Sequence, residues 1–529
     1  MPEDTLSFTY DVYALPSAQH RAGLAGLLIL CDVLTNEDVS LPVITRTSPG
    51  QYTFTWTSEN LDSVLNYYYD AELEAIGKEG TKPKAKPKAL FFKKLGMPEI
   101  WIKLWKDALY SVLKHPQSLG EYEQRAAGQN LTVWANFYKA AQKKHAFEKL
   151  NSSLMIGVMA KNAEQVPFQG LVAENFLLQF WPLVVSVFRP QVMDREGKTS
   201  YQGYVVAIPD ILDLDSFCQE FPYALQQLRA DTTGFLPTDA IIAIPQEGAL
   251  AYAANFVQAQ LSGASLYQFS TASVEVYHLE KRDKSVHLLT QASLTVSVEL
   301  VREYHQFRET VKNKILKAQW LANKLAQHPW YAQFESVFSK YPQQWFVVDS
   351  QYTEPDAWIG KQFAKGVSQL WSQLQQVERL SRMEATPADE IQGEAIEFTI
   401  FNIVREYVEA KTSAKTAIQK PKLKKGDPYW KAPQAYQEEG QKICSNTFYR
   451  LRACKSRVDF MRYFTDTLCS VPHGLSKEKY QLIASALMDE EQWLDVKSLA
   501  MLALSNLSYF YKPESSETVK KEMQIEEVS

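Results

Sequence analysis

Apolar and polar residues alternate strictly at two places near the start of the chain. Apolar side chains occupy every second position over residues 6–12, and again over residues 52–56, where threonines stand between aromatic residues. A period of two is typical of a strand that buries one face. The pattern therefore predicts two half-buried strands close to the N-terminus.

A helix is predicted between these two strands, over LPSAQHRAGLAGLLILCDVL (residues 15–34). Pro16 and Ser17 suit the first turn, where a missing N–H is tolerated and a hydroxyl can cap a free amide. Gly23 and Gly26 lie inside the helix, where each costs roughly 1 kcal/mol relative to alanine. We expect close packing against another backbone to offset this cost. The alternative is close approach to a nucleic-acid or protein partner.

The middle of the chain carries short apolar runs bounded by turn residues, which is typical of buried strands. These runs are residues 154–160, 181–188, 204–208 and 240–244, with Pro209 and Pro245 ending the last two. Residues 271–279 and 286–298 flank the polar stretch KRDKS and predict a β-hairpin. Residues 150–300 are therefore predicted to form an α+β region.

Helical periodicity dominates two further stretches. Over residues 99–148, Trp101, Leu104, Trp105 and Leu109 recur at helical spacing and predict a buried face. Residues 301–511 are helical in period almost throughout. The predicted fold class is α+β, with a mixed α/β N-terminal and central region followed by a C-terminal all-helical bundle.

Five segments are predicted from these patterns and from shifts in composition. They are an N-terminal α+β domain (1–150), a central α+β domain (151–300), a helical connector (301–382), a C-terminal helical bundle (383–512) and a disordered acidic tail (513–529).

The net charge and the cysteine pattern restrict which functions the chain can have. The chain has 529 residues and a net charge of −5, so nucleic-acid binding would have to come from local basic segments. Its five cysteines form no C-x-x-C motif, which predicts neither a disulfide framework nor a zinc site. Without a basic N-terminal leader or an apolar run of membrane-spanning length, a cytoplasmic location is expected.

Two local segments are strongly basic. The first is a lysine loop, residues 77–94, which prolines exclude from regular helix. The second is residues 411–462, which contain thirteen basic and four acidic residues with aromatic residues among them. Basic residues release counterions when they contact phosphates, so both segments are candidates for nucleic-acid binding. For the lysine loop the alternative is a solvated linker. The candidate nucleic-acid contacts are Lys82, Lys84, Lys86, Lys88, Lys93, Lys94, Lys422, Lys424, Lys425, Arg450, Arg452, Lys455, Arg457 and Arg462.

Catalytic motifs are absent from the sequence. There is no P-loop, no H-E-x-x-H and no G-x-S-x-G elbow, and the eight histidines are mostly isolated. We therefore predict no catalytic residue, no metal and no cofactor. Two alternatives to a non-catalytic nucleic-acid-binding protein stay open, a nuclease with dispersed carboxylates and a scaffold that binds only proteins.

Three features together resemble a known family. They are a strand followed by LPSAQHRAGLAGLL, the segment YVVAIPD at residues 204–210, and the helical C-terminal third. This combination resembles the large subunits of type I CRISPR effector (Cascade) complexes, MYXAN subtype. The resemblance implies recognition of the protospacer-adjacent motif in duplex DNA and stabilisation of the R-loop, while the guide RNA reads the sequence.

The same resemblance implies the partners. They are guide RNA, double-stranded target DNA with its displaced strand, and the backbone and small subunits of the complex, with transposition proteins as an open addition. In several type I systems the small subunit is made by internal initiation within the large-subunit gene. Met383 precedes a helix-initiation signal at residues 386–389 and is the candidate start here. The alternative is an ordinary linker between two helical subdomains.

Overall fold

The computed structural model describes residues 5–68, 71–74, 84–113, 142, 147–150, 155–158, 168–259, 270–283, 285–384, 396–418, 432–471 and 476–511. The chain divides into two compact units. The first comprises Met1–Gln191 and Tyr201–Tyr304, and the second comprises Val192–Ser200 and His305–Ser529. Strands and helices are mixed before residue 300 and helices follow, which confirms the predicted fold class. The finer division into five segments stays a prediction.

The strands described are β1 (Leu6–Asp11), β2 (Val43–Ser48), β3 (Gln51–Trp56), β4 (Ala71–Glu74), β5 (Lys84–Pro87), β6 (Phe147–Lys149), β7 (Gln169–Leu171), β8 (Ser186–Met193), β9 (Thr199–Tyr201), β10 (Tyr204–Ile211), β11 (Thr232–Thr233), β12 (Leu236–Pro237), β13 (Ile241–Ile242), β14 (Thr271–Arg282) and β15 (Ser285–Leu294).

The α-helices described are α1 (Ala18–Leu34), α2 (Ser58–Tyr68), α3 (Leu90–Lys94), α4 (Glu99–Ala108), α5 (Val172–Leu177), α6 (Leu214–Gln226), α7 (Glu247–Ala259), α8 (Val298–Thr310), α9 (Lys314–Leu325), α10 (Phe334–Lys340), α11 (Asp356–Glu384), α12 (Ile396–Thr416), α13 (Gln434–Ala453), α14 (Arg457–Asp466), α15 (Lys477–Met488) and α16 (Gln492–Phe510).

The N-terminal sheet has the order β1-β3-β2 and is antiparallel. Phe8 pairs with Phe54 in register, and both side chains are buried. The two strands predicted from alternation are confirmed as β1 and β3. Strand β2 was not predicted, because all six of its side chains are exposed and its sequence shows no buried alternation. It pairs with β3 at the edge of the sheet.

The central sheet has the order β13-β8-β10-β14-β15, with β9 paired to β8. The predicted strand at residues 204–208 is confirmed as β10, but the expectation that Pro209 ends it is wrong. The strand continues to Ile211. Strand β8 pairs with β10 only at residues 205–207, so one side of β10 is unpaired at Pro209 and tolerates a residue without an N–H. The predicted hairpin is confirmed as β14 and β15.

Three other strand predictions were too long or wrong. The run at residues 181–188 begins as a 3₁₀ turn over Trp181–Leu183, and β8 starts only at Ser186. Of the run at residues 240–244, only Ile241 and Ile242 form a strand, β13. They pair in parallel with Arg189 and Pro190 in the middle of β8. Residues 155–158 form a turn rather than a strand, because Gly157 adopts a φ of +91° that breaks an extended backbone.

The helical pattern predicted over residues 99–148 is confirmed at its start. Helix α4 buries Trp101, Leu104 and Trp105, as expected for a core face. The pattern is wrong at its end, because residues 147–149 form strand β6 and pair with β7. Residues 114–141 and 143–146 lie outside the described part of the chain.

Helix α16 is the centre of the second unit. It packs against α11, α12 and α13, and thirteen successive residues from Val496 to Ser508 are buried. Its polar side chains bond to backbone groups of the surrounding segments. Ser505 donates to the carbonyl of Phe346, and Ser508 accepts from the N–H of Val348 at 3.0 Å. The helical C-terminal region is therefore confirmed, and its core includes residues before 383.

Candidate nucleic-acid interface

The polar residues of the N-terminal motif are engaged within the first unit. Ser17 caps α1 by accepting from the N–H of His20, and its hydroxyl lies 2.7 Å from His20 Nδ1. The amide of Gln19 bonds to both backbone groups of Ile156, at 2.9 and 3.0 Å. Burial, and then the charge of Arg21, lower the pKa of His20 to about 4, so its imidazole is neutral at pH 7.

The two glycines of α1 lie against the backbone of a following segment. A Cβ at Gly23 would overlap the carbonyl oxygen of Leu177, and one at Gly26 would overlap that of Phe180. Only glycine permits this approach, because any side chain would push the helix away. The geometry favours the core-packing interpretation of this motif, since the neighbour that the glycines admit belongs to the same chain.

The lysine loop lies only partly within the described residues. Lys82 is outside them, and Lys84 and Lys86 lie on β5, which pairs with β4. The register sets Lys84 opposite Glu74 and Lys86 opposite Glu72. This strand pair lies partly in a stretch that was predicted to be a loop.

The lysines after β5 lie on or near α3. Lys88 is partly exposed, Lys93 lies 3.8 Å from Glu99, and Lys94 forms an ion pair with Glu37. Phe91 and Phe92 between them are buried and anchor the short helix. Because both rings are buried, neither is available to stack on a base. Lys93 and Lys94 are therefore weaker candidates for phosphate contact than their charge suggests.

The second basic segment, residues 411–462, also lies only partly within the described residues, and some of its charged side chains bond to the protein itself. Lys422, Lys424 and Lys425 lie outside the described residues. Arg452 donates to the carbonyl of Tyr341 at 2.8 Å, and Arg457 donates to that of Met488 at 2.6 Å. Both guanidinium groups satisfy carbonyls at or just after the C-terminal ends of helices, α10 for Arg452 and α15 for Arg457, which is a structural role.

Three of the candidate residues remain exposed in this region. They are Arg450 on α13, Lys455 in the following loop and Arg462 on α14. None has a hydrogen bond or ion pair with another described residue. Tyr449, next to Arg450 in the sequence, is also exposed, at 62%. We call Tyr449, Arg450, Lys455 and Arg462 the α13–α14 face.

Tyr463 on α14 interacts with a residue of α13. Burial raises the pKa of Tyr463 on α14 to about 12, and Arg450 on α13 is close enough to act in the opposite direction. Phe448 and Phe460, the buried neighbours of the exposed residues, hold each helix on the core. The α13–α14 face therefore presents three exposed cations and one exposed aromatic ring. This arrangement can bind phosphates and stack a base, as single-strand binding surfaces do.

Two further features are absent from the described ranges. No group of three or more His, Cys, Asp or Glu side chains is arranged there to hold a metal ion. None of the helices in those ranges combines the length and the apolar character needed to span a bilayer.

The chain was compared with known proteins. The family described as Type I-B CRISPR Cas8b N-terminal domain matches residues 81–264, and the Type I-B CRISPR Cas8b C-terminal domain matches residues 271–507. No curated protein matches the chain. The two domains follow one another over most of its length, so the chain belongs to the Cas8b family of type I-B CRISPR systems. It is the large subunit of a Cascade complex, as the resemblance predicted; the MYXAN subtype stays a prediction.

Proposed function

We propose that this large subunit recognises the protospacer-adjacent motif in duplex DNA and stabilises the R-loop that the guide RNA forms. The α13–α14 face carries the proposal, because its three cations are exposed and have no described partner, and Tyr449, next to Arg450 in the sequence, is exposed as well. Such a surface suits phosphates and unstacked bases of the displaced strand without reading their sequence. Sequence reading is left to base pairing with the guide.

The proposed partners follow from this role. They are the guide RNA, the target duplex, the backbone and small subunits of Cascade and, where the system directs transposition, transposition proteins. We propose no catalytic step for this subunit, since members of the family are generally non-catalytic components of Cascade. The lysine loop is a second proposed phosphate contact, made by Lys82, Lys84, Lys86 and Lys88.

The test neutralises the face while leaving its core intact. Arg450, Lys455 and Arg462 are replaced together by glutamine, and binding of labelled single-stranded DNA is measured by fluorescence anisotropy at several salt concentrations. We expect weaker binding to all sequences and a log–log salt slope reduced by about 0.7 for each lost contact. The control replaces Lys340, Lys361 and Lys365 of the same unit by glutamine, an equal loss of charge at other positions. Equal slopes in both variants would refute the role of the face.

A further inference from the structure

Arg189 on β8 lies between two tyrosines of the central sheet. Its guanidinium carbon is 4.2 Å from the ring centroid of Tyr204 on β10 and 5.5 Å from that of Tyr201 on β9. These distances place the cation over both aromatic faces, where the ring quadrupoles attract it. No sequence pattern pointed to Arg189, because the three residues come together only in the folded sheet.

The guanidinium of Arg189 is partly buried, yet it has neither a hydrogen bond nor an ion pair with a described residue. Its Nε is buried and has no hydrogen bond, and its two other guanidinium nitrogens have no partner among the described residues. No described carboxylate forms an ion pair with it either. Taking a guanidinium partly out of water without an anion is unfavourable, so a site of this kind is stabilised when an anion arrives.

The tyrosines are held rigidly around the cation. Gln202 and Gly203 connect β9 to β10, and Gly203 has a φ of +61° with no room for a Cβ beside the carbonyl of Leu279. Gln202 donates from its N–H to the carbonyl of Pro190 at 3.0 Å, and its own carbonyl lies 2.8 Å from Nε2 of the buried His278. The connection cannot shift easily, so the site is preorganised rather than formed on binding.

We propose that Arg189, Tyr201 and Tyr204 form a phosphate-binding site for the nucleic-acid backbone. A guanidinium stacked on aromatic rings still donates in its own plane, and its two terminal nitrogens, which have no partner among the described residues, match two oxygens of a phosphate group. The site lies in the first unit and is independent of the α13–α14 face. It rests on the proposed function only in assuming that this subunit contacts nucleic acid.

The test uses the full-length chain with Arg189→Gln, which removes the charge but keeps a polar side chain. Binding of labelled duplex DNA and of a guide-length RNA is measured separately across a salt series. We expect about tenfold weaker binding of whichever backbone the site holds, as for a lost charge-assisted bidentate contact. The salt slope should fall by about 0.9 for duplex and by about 0.7 for single-stranded RNA.

Two further variants distinguish a specific contact at Arg189 from a general effect of positive charge on binding. Arg195→Gln removes a charge from the exposed turn between β8 and β9 and should change binding much less. Arg189→Lys keeps the charge but not the planar fork, and should bind almost as weakly as Arg189→Gln. Equal losses in Arg189→Gln and Arg195→Gln, or full binding by Arg189→Lys, would overturn the proposal.

Thermal melting distinguishes binding from a structural role. Removal of an unpaired guanidinium should leave the melting temperature unchanged or raise it, whereas an arginine that supports the fold would lower it when replaced. Unchanged binding by Arg189→Gln, with weaker binding by the α13–α14 triple variant, would reject this site and leave the proposed function standing. A wild-type chain that binds neither nucleic acid would reject both.

Discussion

Arg21 of α1 and Asp210 of β10 form an ion pair in which Nε of the arginine lies 2.6 Å from the carboxylate. The two residues belong to LPSAQHRAGLAGLL and YVVAIPD, the two sequence segments that carry the family resemblance. Arg21 also donates to the carbonyl of Leu15 at 2.8 Å. The segments therefore meet in space although 189 positions separate the two residues. Both side chains are about one-fifth exposed, so solvent screens the pair only in part.

A double-mutant cycle on this pair should show strong coupling. We expect Arg21→Met and Asp210→Asn each to lower the free energy of unfolding, with a coupling energy of about 1–3 kcal/mol, because each change leaves a partly buried group unpaired. Urea unfolding of the four proteins measures it. The more exposed pair Arg46–Asp215 is the comparison and should give less than about 1 kcal/mol. Similar coupling in both pairs would contradict this account.

A methyl group at Gly23 should destabilise the first unit. Gly23→Ala would gain roughly 1 kcal/mol from helix propensity, yet we expect a net loss of about 1–3 kcal/mol because the carbonyl of Leu177 occupies that space. Asp32→Ala, on the exposed side of the same helix, is the control. Gly26→Leu should behave like Gly23→Ala. Normal stability of Gly26→Leu with failed complex assembly would instead favour contact with a partner.

The lysine loop should contribute to nucleic-acid affinity without sequence preference. Replacement of Lys82, Lys84, Lys86 and Lys88 by glutamine should weaken DNA binding and flatten the salt slope by at most ~0.9 per lost contact. Lys93→Gln with Lys94→Gln is the matched control, because those lysines already pair with Glu99 and Glu37. An unchanged slope in the fourfold variant would remove the loop from the interface.

Acid should destabilise the first unit through His20. Its folded pKa of about 4 lies below the unfolded value of about 6.5, so the unfolded chain binds the extra proton first. The free energy of unfolding should fall as the pH drops from about 6.5 to 4, by up to about 3 kcal/mol from this group. His20→Gln should lose that part of the pH dependence in urea unfolding at pH 7 and pH 5. Equal pH dependence in both proteins would contradict it.

Internal initiation at Met383 stays a prediction that intact-mass analysis can test. Met383 lies in the last turn of α11, and residues 385–395 are outside the described part. Expression of the untagged gene should yield a second species that begins near Met383 and is lost in Met383→Leu. Because α16 packs on α11 and bonds to Phe346 and Val348, such a species would expose part of its core unless a partner covers it. Full-length chain alone under all conditions would reject internal initiation.

The sequence by itself determined the elements whose signal is local. Strict alternation identified β1 and β3, helical spacing identified the buried tryptophans of α4, and Ser17 marked the start of α1. These features depend on residues within one or two turns of each other, so periodicity and capping suffice to predict them. The family resemblance likewise depended on contiguous segments.

Tertiary structure alone decided which basic residues are free. Thirteen positive charges over residues 411–462 look equivalent along the chain, yet Arg452 and Arg457 bond to distant carbonyls while Arg450 and Arg462 face solvent. The partners of Lys93 and Lys94, the register of β5 against β4, and the rings around Arg189 all come from other segments. Charge pairing depends on distances of a few ångströms between such segments, and a sequence pattern does not contain those distances.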